Sequence, residues 1–89
     1  MGMRRKVIVT VEGPKGNYWR FTISWWLREI KEIIEREYNI ELIIEEVDGK
    51  DEFPTVYVDG EPVMTGVPGE EGYLIEVLKV FLNRYLGSG

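Results

Sequence analysis

Five carboxylates fall within eight residues in Glu45-Glu46-Val47-Asp48-Gly49-Lys50-Asp51-Glu52, the stretch whose side chains best suit a hard cation held by oxygen. The run lacks the alternating ligand positions and closing glutamate of a twelve-residue calcium loop, so it reads as a solvated strand end and turn. Ser24 is a hydroxyl with no histidine anywhere in the chain to take its proton, which makes it a poor nucleophile. Gly13-Pro14-Lys15-Gly16 lacks the glycine, lysine and Ser/Thr spacing that cradles phosphate and reads as a tight loop. No carboxylate pair stands alone in an apolar stretch, so paired acid and base chemistry has no support. The residues that could recognise something are the aromatics: Tyr18, Trp19, Phe21 and Trp25 near one another, and Phe53 farther on.

The composition narrows the classes. Zero cysteine and zero histidine leave no disulfide, no zinc site of the usual ligands and no imidazole base. Sixteen acidic against eleven basic residues give a net charge of −5, the wrong sign for a phosphate-binding surface, so nucleic acid is not expected as a partner. The basic start Arg4-Arg5-Lys6 leads into too short an apolar run for a signal peptide, and no segment approaches membrane-spanning length. A cytoplasmic protein with no membrane partner is expected.

Ala and Gln are absent while Glu, Lys, Arg, Ile and Val abound, a balance that suits a thermostable protein. With 89 residues, 44% of them hydrophobic, the chain is sized for one domain that buries more than half of its unfolded surface. That domain is expected over residues 3–86, with residues 1–2 and 87–89 reading as appended scars.

The elements that must position these residues follow from periodicity. Lys6 to Val11 is a continuous β-branched run that predicts a central strand buried on both faces. A long helix follows from Asn17 or Thr22 to Tyr38, with Trp19, Ile23, Trp26, Ile30, Ile33, Ile34 and Tyr38 spaced by threes and fours. Ile40 to Val47 predicts an edge strand whose charges block unwanted pairing. Pro54 to Val58 predicts a second buried strand, Asp59-Gly60 a type I′ hairpin turn, and Pro62 a returning strand at an edge. A last helix is predicted from Gly69 to Leu86. The order is β-α-β-β-β-α, an α/β fold with a four-stranded mixed sheet and two helices laid against it.

Phe53-Pro54-Thr55-Val56-Tyr57-Val58-Asp59-Gly60-Glu61-Pro62-Val63 resembles the proline-led strand and Asp-Gly hairpin of the minimal thioredoxin-like fold, closest to small glutaredoxin-like proteins. The resemblance covers about residues 6–86. It implies a cis Phe53–Pro54 bond and a backbone edge at Phe53 beside the family's redox pair. The family's Cys-x-x-Cys is missing, whether its place is taken as Asn17 to Arg20 or as Phe21 to Ser24. A thiolate lowered at a helix start is what that chemistry requires. Thr65-Gly66-Val67-Pro68-Gly69-Glu70 only loosely resembles the glutathione-binding loop, so glutathione is not expected.

By the resemblance, three loops converge at one end of the sheet and bring together Tyr18, Trp19, Phe21, Phe53, Pro54, Met64 or Val67, and Pro68 as an apolar partner surface. The competing reading is that Trp19 and Phe53 pack into the core. Trp25 falls almost opposite Ile30 at about 100° per residue, which makes it either an interface residue or one buried under the preceding loop. The expectation is a redox-inactive thioredoxin-like domain serving as a protein-interaction module or engineered binding scaffold, without cofactor or metal. Its partner is another protein or a second copy. The alternative is a thiol-disulfide oxidoreductase whose cysteines have been replaced in this chain.

Overall fold

β-branched side chains crowd the backbone out of the helical region, and on the Val- and Ile-rich segments near the amino end and past Tyr38 the chain forms two nine-residue strands. The computed structural model describes residues 4–66 and 71–87. Its elements are β1 (Arg5–Gly13), α1 (Tyr18–Tyr38), β2 (Ile40–Asp48), β3 (Thr55–Val58), β4 (Glu61–Thr65) and α2 (Glu71–Tyr85). The sheet order is β2-β1-β3-β4. β1 and β2 run parallel, from Arg5 opposite Ile40 to Gly13 opposite Asp48, while β3 pairs antiparallel with both β1 and β4. The fold is the expected α/β arrangement of one mixed four-stranded sheet and two helices. No helix among the described residues is long and apolar enough to cross a membrane.

Local chemistry sets the boundaries. Asn17 caps α1, its side chain accepting the Arg20 N–H at 3.0 Å, and Asn39 ends the helix in the left-handed region with its N–H on the Glu35 carbonyl. The helix therefore begins at Tyr18, the earlier of the two starts the sequence allows. Asp59 and Gly60 carry φ of 49° and 87°, the two positive angles a type I′ turn needs. Pro62 lies on the edge strand β4, next to an irregularity in the β3–β4 register. For α2, the expected start at Gly69 lies outside the described residues.

One face of the sheet holds the core. Val7, Val9 and Val11 of β1, Ile40 and Leu42 of β2, and Val56 and Val58 of β3 are buried against Ile23, Leu27, Ile30 and Ile34 of α1 and Leu74, Leu78 and Leu82 of α2. Here the structure corrects the expectation that β1 is buried on both faces. Both helices pack on the same side, so Ile8, which alternates with the valines, is 38% exposed, and Thr10, Ile43 and Tyr57 share the uncovered face. On α1, Ile33 is exposed rather than buried, because it sits about 100° around the helix from Ile34. Leu27 fills the core instead.

Candidate functional site

Tyr18, Phe21 and Trp25 recur at intervals of three and four on α1, so they share one face, turned away from the stripe of Ile23, Leu27 and Ile30. They are 68%, 59% and 52% exposed, a density of bare aromatic surface that single scattered apolar residues do not produce. Phe21 and Trp25 meet edge to face with ring centroids 6.1 Å apart, and Tyr18 meets Trp19 in the same manner at 5.2 Å. Trp25 is thus not buried under the preceding loop. Trp19 is half-buried, and Trp26 packs against the core. Shallow depressions flank the row, one between Phe21, Trp25, Arg28 and Glu29 and another reaching Thr22 and Trp26.

Arg20 holds this first part of the helix in place. Its guanidinium donates to the Gly13 carbonyl at 3.0 Å, to Glu46 at 3.1 Å and to Asp48 at 2.9 Å, tying the start of α1 to the ends of β1 and β2. Arg28 adds a second donor to Glu46 at 3.3 Å. Burial pushes the Glu46 carboxyl up, but the two guanidiniums outweigh it and hold the group below its ordinary value. The acidic stretch at the end of β2 is therefore partly spoken for by arginines. Among the described residues, no group of three or more carboxylates is placed to hold a metal ion. The Ser24 hydroxyl is buried and donates to the Arg20 carbonyl at 2.8 Å, a structural bond with no base beside it.

At the far end of the aromatic row, Glu29 meets Glu71 in the first turn of α2. Partial burial, then the hydrogen bond and charge of Glu29, push the Glu71 carboxyl above its ordinary range. This carboxyl pair is a contact that spacing does not reveal, because it joins residues on two different helices, far apart in sequence.

The other expected site residues divide. The Asn17 amide donates to the Glu52 carbonyl at 3.2 Å, so the loop before β3 does lie beside the start of α1. Phe53 on that loop is 46% exposed rather than packed into the core, yet among the described residues it makes no ring contact with the α1 aromatics. Pro54 is buried, lying close against Gly13, and its carbonyl accepts the Gly66 N–H at 2.9 Å. The Phe53–Pro54 bond is trans, a correction to the cis bond that the resemblance implies. The trans isomer is the intrinsically favoured one, and it leads here directly into extended β3. Met64 lies opposite Val56 on the core side and is half-buried, so it does not join the aromatic row. Val67 and Pro68 lie outside the described residues.

Sequence reasoning missed Arg20 and Glu35 as organising residues. Glu35 is 8% exposed and accepts the Leu42 N–H and the Lys31 ammonium, each at 2.7 Å. Its place four residues after Lys31 was the available signal. No protein-family model matches the chain, and no curated protein matches it.

Proposed function

We propose that the chain is a redox-inactive thioredoxin-like domain that works as a protein-interaction module, natural or engineered, with the Tyr18–Phe21–Trp25 face as its docking surface. The observation that carries this reading is the exposure of those three rings side by side on one rigid helix. Aromatic anchors on a fixed element contribute large contact area at small cost in side-chain entropy. The hairpin Phe53 to Val63 and the element order support the thioredoxin-like assignment, and the missing thiols leave binding as the role that fits the side chains.

The rival reading is a thiol oxidoreductase with its cysteines replaced. The helix start favours Asn17 and Arg20 as the positions of the redox pair, at the cap and its third following residue. Arg20, however, is committed to three structural acceptors, which weighs toward the binding reading.

The test is a titration of isotope-labelled protein with a panel of short amphipathic helical peptides, read by amide shift changes. Binding peptides are expected to shift residues 18 to 29, and Trp25→Glu is expected to abolish the effect. Shifts that map elsewhere, or a panel that produces none, overturn the proposal. For the rival, the Asn17→Cys/Arg20→Cys double variant assayed for disulfide reduction decides: turnover supports it and silence removes it.

A further inference from the structure

A second apolar surface lies on the other helix. Tyr73, Val77, Val80 and Phe81 of α2, with Pro62 and Val63 of β4, line a groove of about 450 Å³. Tyr73 is 50% and Val80 54% exposed, although both sit on a regular helix in a folded domain. The two charged residues in the lining are Glu76 and Arg84, and neither has an ion-pair partner among the described residues. The face is thus neutral within a chain of net charge −5. Two copies can approach there without adding like charge to like charge.

The spacing makes the face self-complementary. Glu76 and Arg84 each lie four residues from Val80, about 6 Å along the helix axis to either side. In a two-fold dimer residue i meets j and j meets i. If two α2 helices pack antiparallel with Val80 on the axis, Glu76 faces the partner's Arg84 and Arg84 faces the partner's Glu76. Val80 meets the partner's Val80 between them, and Tyr73 of each copy covers the other helix near its end. A parallel pairing would instead set glutamate on glutamate and arginine on arginine.

We infer that the α2–β4 groove is a homodimer interface, occupied by α2 of a second copy in antiparallel register centred on Val80. This surface is separate from the Tyr18–Phe21–Trp25 face, so the two can be engaged together. A contact made mainly by one helix on another falls short of the roughly 800 Å² per partner of a stable complex, which sets the dimer in the weak, concentration-dependent class.

Sedimentation equilibrium from low micromolar to millimolar protein tests it. The mass is expected to rise from 10.4 kDa toward about twice that value. Val80→Glu is expected to hold the mass at the monomer value, with the circular dichroism of the fold unchanged because the site is exposed. Glu76→Arg and Arg84→Glu are each expected to weaken self-association by about tenfold or more through like-charge contacts. Mixed with one another, those two single variants are expected to form a heterodimer, and the Glu76→Arg/Arg84→Glu double variant is expected to recover the parent's dimerisation. Trp25→Glu is expected to leave the dimer intact, which separates this inference from the docking role of α1. A monomer at every concentration, a dimer indifferent to Val80→Glu, or single variants that do not rescue each other on mixing would overturn it.

Discussion

The carboxylate of Glu35, near the end of α1, accepts the backbone N–H of Leu42 at 2.7 Å, so a helical side chain satisfies a donor on the edge strand β2. Among the described residues β2 has β1 as its one sheet neighbour, and an inward-reaching charge of this kind blunts an edge that would otherwise invite pairing. The Lys31 ammonium, and after it the Leu42 N–H, hold the Glu35 carboxyl below its ordinary 4.5. A depressed carboxylate contributes stability that is present above the unfolded-state value and is lost as pH falls through the folded one. The stability of the parent against chemical denaturation should therefore fall below pH 4.5. Glu35→Gln should lower stability at pH 7 by about 1 kcal/mol and flatten that acid limb. An unchanged limb would show that Glu35 is not its source.

Arg20 is the tie between the start of α1 and the sheet. Arg20→Met keeps the aliphatic stem and removes the donors to Gly13, Glu46 and Asp48. The expected loss is about 2 kcal/mol, because the guanidinium is mostly enclosed while Asp48 remains well solvated. Faster amide exchange should localise to residues 13 to 24, and the core amides of β3 should exchange only as fast as the global stability change requires.

Trp25 is expected to behave as a surface residue in stability and as an anchor in binding. Trp25→Glu should shift the unfolding free energy by no more than about 0.5 kcal/mol, since the ring is half exposed and loses one edge-to-face contact. The same variant should lose most of the apolar-dye fluorescence of the parent. Comparison with Ile8→Glu, on the bare sheet face, and with Val80→Glu, in the α2–β4 groove, tells which of the three surfaces the dye occupies.

The features legible in the sequence are those whose cause is local. Asp59-Gly60 between two strand-like runs suits the two positive φ angles of a type I′ turn, and Pro62 lacks the donor a central strand needs, so turn and edge follow from a few residues. Helix geometry puts Trp25 on the face away from the core stripe, but leaves open whether the preceding loop covers it. What could not be read depends on register or on which side of the sheet the helices land. Val7 to Val11 is equally apolar whether one face or both are covered, and Ile8 carries no mark of exposure. Arg20 finds Glu46 and Asp48 only once the parallel pairing of β1 with β2 has brought the two strand ends together. Met64 and Trp25 differ for the same reason: the pairing opposite Val56 commits one to the core, while among the described residues none buries the other.

Glu29 and Glu71 place two carboxyls in contact where α1 meets the first turn of α2. Burial and Glu29 raise the Glu71 carboxyl above 4.5, so this contact favours the fold at low pH and loses that contribution as pH rises through the raised value. Glu29→Gln should consequently raise the melting temperature at pH 7, with the gain vanishing at and below pH 4.5. A variant no more stable than the parent at pH 7 would show that the two carboxyls are kept apart by solvent.

The central position of β1 in the order β2-β1-β3-β4 has a consequence for the growing polypeptide. β1 precedes both of its neighbours in the chain, and its first partner, β2, begins only at Ile40. At about 5–20 residues per second of synthesis, this β-branched segment waits seconds before it can pair. Such a segment is the kind that seeds aggregation, and a flanking positive cluster is a common safeguard. Arg4, Arg5 and Lys6 stand immediately before Val7 and are exposed in the finished fold, the position and charge that such a safeguard requires.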